Sequence, residues 1–163
     1  MSKSLKELYQ IQEILKESGY YDISRISKEI QYYCNEKKIS PTLILERIQK
    51  KEPWEYIKGE SVFYGNRFLL NRKTLIPRVE TEQMVHIAIS FLEENPHYKN
   101  VIDIGTGSGC IIISLAKALN NKKPINFSAT DVEQEALEIA KQNAMLHKVN
   151  KKISFLKGNL LKR

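Results

Sequence analysis

The sequence predicts an α/β protein in which a small helical bundle leads into a parallel sheet, and three observations predict it. Up to about residue 50 the apolar residues recur at helical spacing. Around Gly65 two short aromatic and β-branched runs flank a turn. From Val101 onward short apolar strands alternate with helical segments, an order that needs crossover connections and therefore parallel pairing. The expected division is a helical domain over 1–52, a β-hairpin linker over 53–80 and an α/β domain over 81–163.

In LKELYQIQEILKES, Leu5, Leu8, Ile11, Ile14 and Leu15 share one helix face, and Gly19 follows as a C-terminal stop. A second helix is expected from about Asp22 to Lys37, with Ile23, Ile26, Ile30 and Tyr33 inward. Ser40 is an N-cap with Pro41 at the first helical position of a third. SVFYGNRFLLN predicts a hairpin turning at Gly65-Asn66, glycine first. Pro77 marks a loop before an amphipathic helix from about Thr81 to Glu94. VIDI, GCIIISLAKALN, INFSATD, VEQEALEIAKQNAMLH and ISFLKGN then read strand, helix, strand, helix, strand.

With 42% hydrophobic residues the chain can build a core, yet no apolar run approaches a membrane span. The opening MSKSLKELYQ is polar, without the apolar centre of a signal peptide or a glycine at position 2. A cytoplasmic protein with no membrane partner is expected. Cys34 and Cys110 lie far apart and in no ligand spacing, which predicts reduced thiols and no metal. The formal charge of +7 comes mainly from scattered lysines. Scatter describes a solvated surface, so direct nucleic-acid binding is not expected.

VIDIGTGSGC carries the chemistry. Gly105, Gly107 and Gly109 follow a strand and open a helix, where glycines permit a tight turn and close approach of a ligand to the main chain. A dinucleotide fingerprint needs glycine at its sixth position, but Cys110 or Ile112 stands there, according to frame. No Gly-Lys-Ser/Thr follows, so this is no phosphate loop either. Asp103, just before the loop, opposes a pyrophosphate and suits a ligand with an amino group. S-adenosylmethionine has that group and a cationic sulfonium. Asp131 ends the next strand about 20 residues past Gly109, where an acid can accept from ribose hydroxyls; it can also cap the following helix.

Here the chain resembles the peptide-chain release factor N(5)-glutamine methyltransferases. The shared stretches are DIGTGSGCIIISLA, ATDVEQEALEIAKQNA, YIKGESVFYGNRF and LIPRVETE. The more specific motifs are Gly59, Glu60, Phe63 and Gly65, and Leu75-Ile76-Pro77-Arg78 with Glu80-Thr81-Glu82; Val79 departs from the second proline usual there. The resemblance implies a Rossmann-like methyltransferase sheet, of which this chain holds strands 1–3 of seven. It implies S-adenosyl-L-methionine as cofactor and, as protein partner, a release factor methylated on the glutamine amide of its Gly-Gly-Gln motif. It implies that the helical domain binds that factor. It places the methionine part of the cofactor against Asp103 and Gly105-Thr106-Gly107-Ser108-Gly109, the ribose at Asp131 and the adenine near Asn159 and Leu160. Asn159 replaces the usual acid and keeps an acceptor without charge. Pro77, Arg78, Glu80 and Thr81 belong near the site.

The family's catalytic tetrapeptide, Asn-Pro-Pro-Tyr, occurs nowhere in the 163 residues, so no catalytic residue is assigned. The chain reads as the front part of an enzyme: a fragment, a disrupted gene or one piece of a split protein, inactive by itself. Two other readings fit less well. One is a DNA amino-group methyltransferase, which LIPRVETE opposes; the other is a non-catalytic release-factor-binding module.

Overall fold

The structure, a computed structural model, describes residues 3–119 and 124–159. It divides into two compact units, Met1–Lys58 and Gly59–Arg163, each with its own hydrophobic core.

The first unit is helical: α1 (Lys3–Glu17), α2 (Ile23–Lys37), α3 (Pro41–Gln49) and α4 (Trp54–Lys58). Ile11 and Leu15 of α1, Ile30 of α2, Ile48 of α3 and Trp54 of α4 are fully buried together. Local signals set the ends. Gly19, at φ 76°, closes α1 while the Tyr20 N–H returns to the Leu15 carbonyl at 3.0 Å. Ser40 Oγ accepts from the Thr42 N–H at 3.3 Å, with Pro41 opening α3. Three details differ from expectation. Leu5 is exposed, because only the C-terminal half of α1 meets the core. Cys34 takes the inward place expected of Tyr33, whose ring instead meets Trp54 edge-on at 5.5 Å. The short α4 was not foreseen; the Trp54 indole that anchors it donates to Glu29 Oε2 at 3.0 Å.

The second unit opens with an antiparallel hairpin, β1 (Glu60–Phe63) and β2 (Asn66–Leu69). Its turn residues are Tyr64 and Gly65, at φ 50° and 67°, one residue earlier than Gly65-Asn66. Positive φ at both central positions is the hairpin turn that matches strand twist. Tyrosine tolerates it poorly, and the Glu82 carboxylate holds it there by accepting the Tyr64 N–H at 2.8 Å. Phe63 and Phe68 are buried in the same core as the sheet, so the hairpin is part of this unit's packing.

After α5 (Glu80–Glu94) come β3 (Asn100–Ile104), α6 (Cys110–Ala118), β4 (Asn126–Asp131), α7 (Gln134–Leu146) and β5 (Ile153–Lys157). The strands are parallel in the order β3-β4-β5. Val101, Phe127, Ala129 and Ile153 share one face and pack with α6 in the core. Alternation puts Ile102, Ile104 and Leu156 on the other face, all exposed. Among the described residues β3 pairs with β4 alone, and an apolar groove of about 380 Å³ lined by Met84, Ile87, Phe91, Tyr98 and Val101 lies at this edge. Both cysteines are free and buried. No described helix is long and apolar enough to cross a membrane, and no described cluster of three or more metal-binding side chains exists.

His147, the C-cap of α7, ties this helix to its neighbours. Its Nε2 lies 2.8 Å from the Arg67 carbonyl, which can only accept, so Nε2 carries the proton. Nδ1 then accepts from Lys117 of α6 at 3.4 Å. Burial holds the imidazole pKa below its ordinary 6.5; the Arg67 carbonyl raises it, and the Lys117 and Arg67 charges lower it again. The folded state therefore binds this proton less readily than the unfolded chain, and stability present above pH 6.5 is lost as pH falls through the folded value. Thermal melts at pH 7.5 and 5.5 should show a larger drop for the native chain than for His147→Gln. Equal drops would contradict this account.

Candidate functional site

The glycine loop sits where two adjacent strands end. β3 delivers Asp103 and Ile104, the chain turns through Gly105–Gly109, and α6 begins at Cys110. Because the register pairs Ile104 with Thr130, the end of β4 lies level with the start of the loop. The Thr130 carbonyl accepts from the Gly105 and Thr106 amides at 2.8 and 2.9 Å. Asp131 Oδ2 accepts from the Gly107 amide at 2.8 Å, while Oδ1 accepts from the Glu133 amide at 3.0 Å at the start of α7. The Gly109 amide returns to the Thr106 carbonyl at 2.8 Å. Four loop amides thus donate inward. A loop that cradles phosphate needs its N–H groups aimed at the anion, and these are already engaged.

The three glycines have positive φ, at 76°, 55° and 79°, but they serve different ends. A Cβ on Gly109 would come within 2.9 Å of Ile113 Cδ1 and 3.2 Å of Ala140 Cβ. Gly109 therefore lets α7 close against α6. Nothing lies within 4 Å of a Cβ built on Gly105 or Gly107, so the space beside them is open. The accessible rim is Gly105 to Gly107 rather than the whole span to Gly109.

Two carboxylates flank that rim. Asp103 Oδ2 accepts from the Thr106 hydroxyl at 2.8 Å. Burial pushes the Asp103 pKa up; hydrogen bonds from Thr106 and the Ile112 backbone pull it back, and the nearby charge of Asp131 pushes it up again. No described cation pairs with either carboxylate. The loop therefore combines engaged donors, an open rim and unneutralised negative charge. The neighbouring Cys110 thiol is pushed up to about 11 by burial, which leaves it a packing group and no nucleophile.

The remaining expected residues are less closely gathered. The Gly158 amide donates to the Asp131 carbonyl at 3.0 Å, which brings Asn159 beside the end of β4 with its side chain exposed. Ser108 is buried below the loop. Leu160 lies outside the described residues. Pro77 is half-buried and Arg78 exposed in the loop before α5; Glu80 and Thr81 form its first turn, the Thr81 amide donating to the Arg78 carbonyl at 3.0 Å.

One residue escaped the sequence reading. Asn143 of α7 is fully buried and makes three hydrogen bonds. Its Oδ1 accepts from the Leu69 amide at 2.8 Å, and its Nδ2 donates to the Leu69 carbonyl at 3.0 Å and the Ser108 carbonyl at 2.8 Å. A signal existed: Ala136, Leu137, Ala140 and Ala144 trace an apolar stripe, and a polar residue at 143 interrupts it. Stranding those buried groups costs about 1–3 kcal/mol for each left without a partner.

A parallel sheet whose first strand leads through Asp-x-Gly-x-Gly-x-Gly into a helix, with an acid ending the next strand, defines the Rossmann-like methyltransferase class. The family model described as Ribosomal protein L11 methyltransferase (PrmA) matches residues 80–163, and the chain belongs to this methyltransferase family. The sequence relatives include a release factor glutamine methyltransferase from Flavobacterium psychrophilum, 43% identical over 72% of this chain and 40% of that protein. The protein of the same name from Leptospira interrogans is 39% identical over 86% of this chain and 46% of its own length. The resemblance read from the motifs is thus the one these relatives carry, and the chain spans less than half the length of either. Among solved structures, a human methyltransferase 10 domain containing protein is 26% identical over 59% of this chain and 46% of that one, with a TM-score of 0.46. An RNA methyltransferase from Salinibacter ruber in complex with S-adenosyl-L-homocysteine is 20% identical over 54% and 53%, with a TM-score of 0.41.

The raised pKa of Asp103 has a testable sign. The folded state prefers the protonated form, so the contribution is full below the ordinary value of 3.8 and is lost as pH rises through the folded value. Asp103→Asn keeps an acceptor for Thr106 and removes the charge. In the chain alone it should melt higher than the native protein at pH 7, with the gap closing below about pH 4. A lower melting temperature at pH 7 would contradict this.

Proposed function

We propose that the glycine loop binds S-adenosyl-L-methionine and that the chain is the cofactor-binding part of a protein-(glutamine-N5) methyltransferase acting on the Gly-Gly-Gln motif of a peptide-chain release factor. The observation that carries the cofactor reading is the inward turn of the loop amides beside two unneutralised carboxylates. Such a rim repels a pyrophosphate and attracts a cationic amino-acid end. The bound cofactor supplies a methyl group made electrophilic by its sulfonium. Gly105 and Gly107 leave the main chain open to it. Asp103 faces its ammonium group. Asp131, with one lone pair on each oxygen still free, accepts from the ribose hydroxyls. Asn159 borders the adenine. Binding sets the loss of ligand entropy against charge-assisted hydrogen bonds of about 1.5–3 kcal/mol each.

The family model names ribosomal protein L11 as substrate, and the sequence relatives reported above name release factors. The release factor reading is favoured because the Leptospira alignment, covering 86% of this chain, reaches well upstream of residue 80, where the family model begins. That upstream region holds Gly59, Glu60, Phe63, Pro77 and Arg78. The helical unit docks the factor, and the setting is the cytoplasm, where translation terminates.

Transfer itself needs more than cofactor. An amide nitrogen is a poor nucleophile because its lone pair is delocalised, and catalysis consists of holding it in line with the methyl. In the family that the motifs resemble, Asn-Pro-Pro-Tyr does this, and that tetrapeptide does not occur in the 163 residues. The assay is transfer of labelled methyl to a release factor, with a Gln→Ala factor as control. The chain alone should label neither. Supplied with the complementary part of a full-length relative, it should label the glutamine factor alone, the added strand pairing along the edge of β3 that no described strand occupies. Strong glutamine-dependent labelling by residues 1–163 alone, or labelling of the Gln→Ala factor, would overturn the proposal.

A further inference from the structure

The glycine loop is held from β4 through its amides, but one of its peptide planes is held from the opposite direction. The carbonyl of Ser108 and the N–H of Gly109 belong to one peptide unit. The N–H is fixed by the Thr106 carbonyl and the carbonyl by Asn143 Nδ2, each at 2.8 Å. Flipping this peptide changes only ψ of Ser108 and φ of Gly109, and a glycine tolerates either sign of φ, so the backbone alone sets little barrier. Held at both ends, it cannot flip.

The same side chain treats Leu69 as a neighbouring strand would. It accepts from the Leu69 amide and donates to the Leu69 carbonyl, at 2.8 and 3.0 Å, completing the backbone pairing of β2. The other end of the hairpin is fixed by Glu82 on the Tyr64 amide. A continuous line therefore runs from the Glu80-Thr81-Glu82 stretch through the hairpin and Asn143 to Ser108.

We propose that Asn143 is a positioning residue: it locks the Ser108–Gly109 peptide in the ligand-ready orientation and couples the loop to the hairpin, so that cofactor affinity depends on a side chain that does not touch the cofactor. The inference rests on the cofactor reading above. Chemistry makes it specific to an amide. Leucine at this place has the volume but no polar atom, and aspartate keeps an acceptor for Leu69 N–H while losing both donors.

The test titrates S-adenosyl-L-homocysteine into the full chain and compares the native protein, Asn143→Leu and Asn143→Asp with Leu92→Ala. Leu92 is buried in α5 of the same core and serves as a control for lost stability. All are measured below their melting temperatures, and amide exchange at Gly105, Gly107 and Gly109 is followed by NMR without ligand. Both Asn143 variants should bind at least tenfold more weakly and exchange faster at these glycines. Leu92→Ala should stay within twofold in affinity while melting lower. If Asn143→Leu does not fold, Asn143→Asp alone decides. Native affinity in a folded Asn143 variant, or an equal loss in Leu92→Ala, overturns the inference. A native chain that binds no ligand overturns the cofactor reading instead, and unchanged glycine exchange in the Asn143 variants then overturns the lock as well.

Discussion

The Thr130 carbonyl and the Asp131 carboxylate, both at the C-terminal end of β4, hold three amides of the glycine loop, and the second unit is arranged around that grip. It requires parallel pairing, which brings the ends of β3 and β4 out on one side of the sheet with Ile104 level with Thr130. It requires α6 to leave the loop directly, with Ile112 and Ile113 fully buried to fix its angle. It also requires a glycine at 109, since a larger residue would push against Ile113 and Ala140. Each inward hydrogen bond contributes about 1 kcal/mol net, but a buried partner left without one costs more, so the loop keeps its shape as a unit.

That shape gathers negative charge where the fold alone would avoid it. Asp103 is largely buried beside Asp131, and its proton is harder to lose than an ordinary carboxylate's. A buried, unneutralised carboxylate beside an open rim marks a candidate functional site. The raised Asp103 pKa therefore marks a carboxylate whose charge costs the fold stability beside the open rim of the loop.

Much of this was legible in the sequence, and what was missed has a physical pattern. The strand-loop-helix order and the roles of Ser40, Pro41 and Gly19 are local, set by neighbours a few residues away. The glycine motif with Asp103 and Asp131 was legible because its chemistry is written in residue types. The hairpin was found but its turn slipped by one, because the residue that stabilises Tyr64 at positive φ, Glu82, lies 18 positions away. Asn143 was missed for the same reason: its partners, Leu69 and Ser108, are remote in sequence and are both backbone groups, which leave no side-chain trace. Gly109 looked equivalent to Gly105 and Gly107, and only the packing of α7 tells them apart.

The central claim is that this loop is shaped for a cationic amino-acid end and against a phosphate. It is tested most directly by assigning the amide spectrum of the chain and adding S-adenosyl-L-homocysteine or, separately, NAD. The account predicts that S-adenosyl-L-homocysteine moves the amides of Gly105, Gly107, Asp131 and Gly158, leaves the helical unit unmoved, and acts at lower concentration than NAD. Stronger binding of NAD at the same amides, or a response confined to the helical unit, would contradict it.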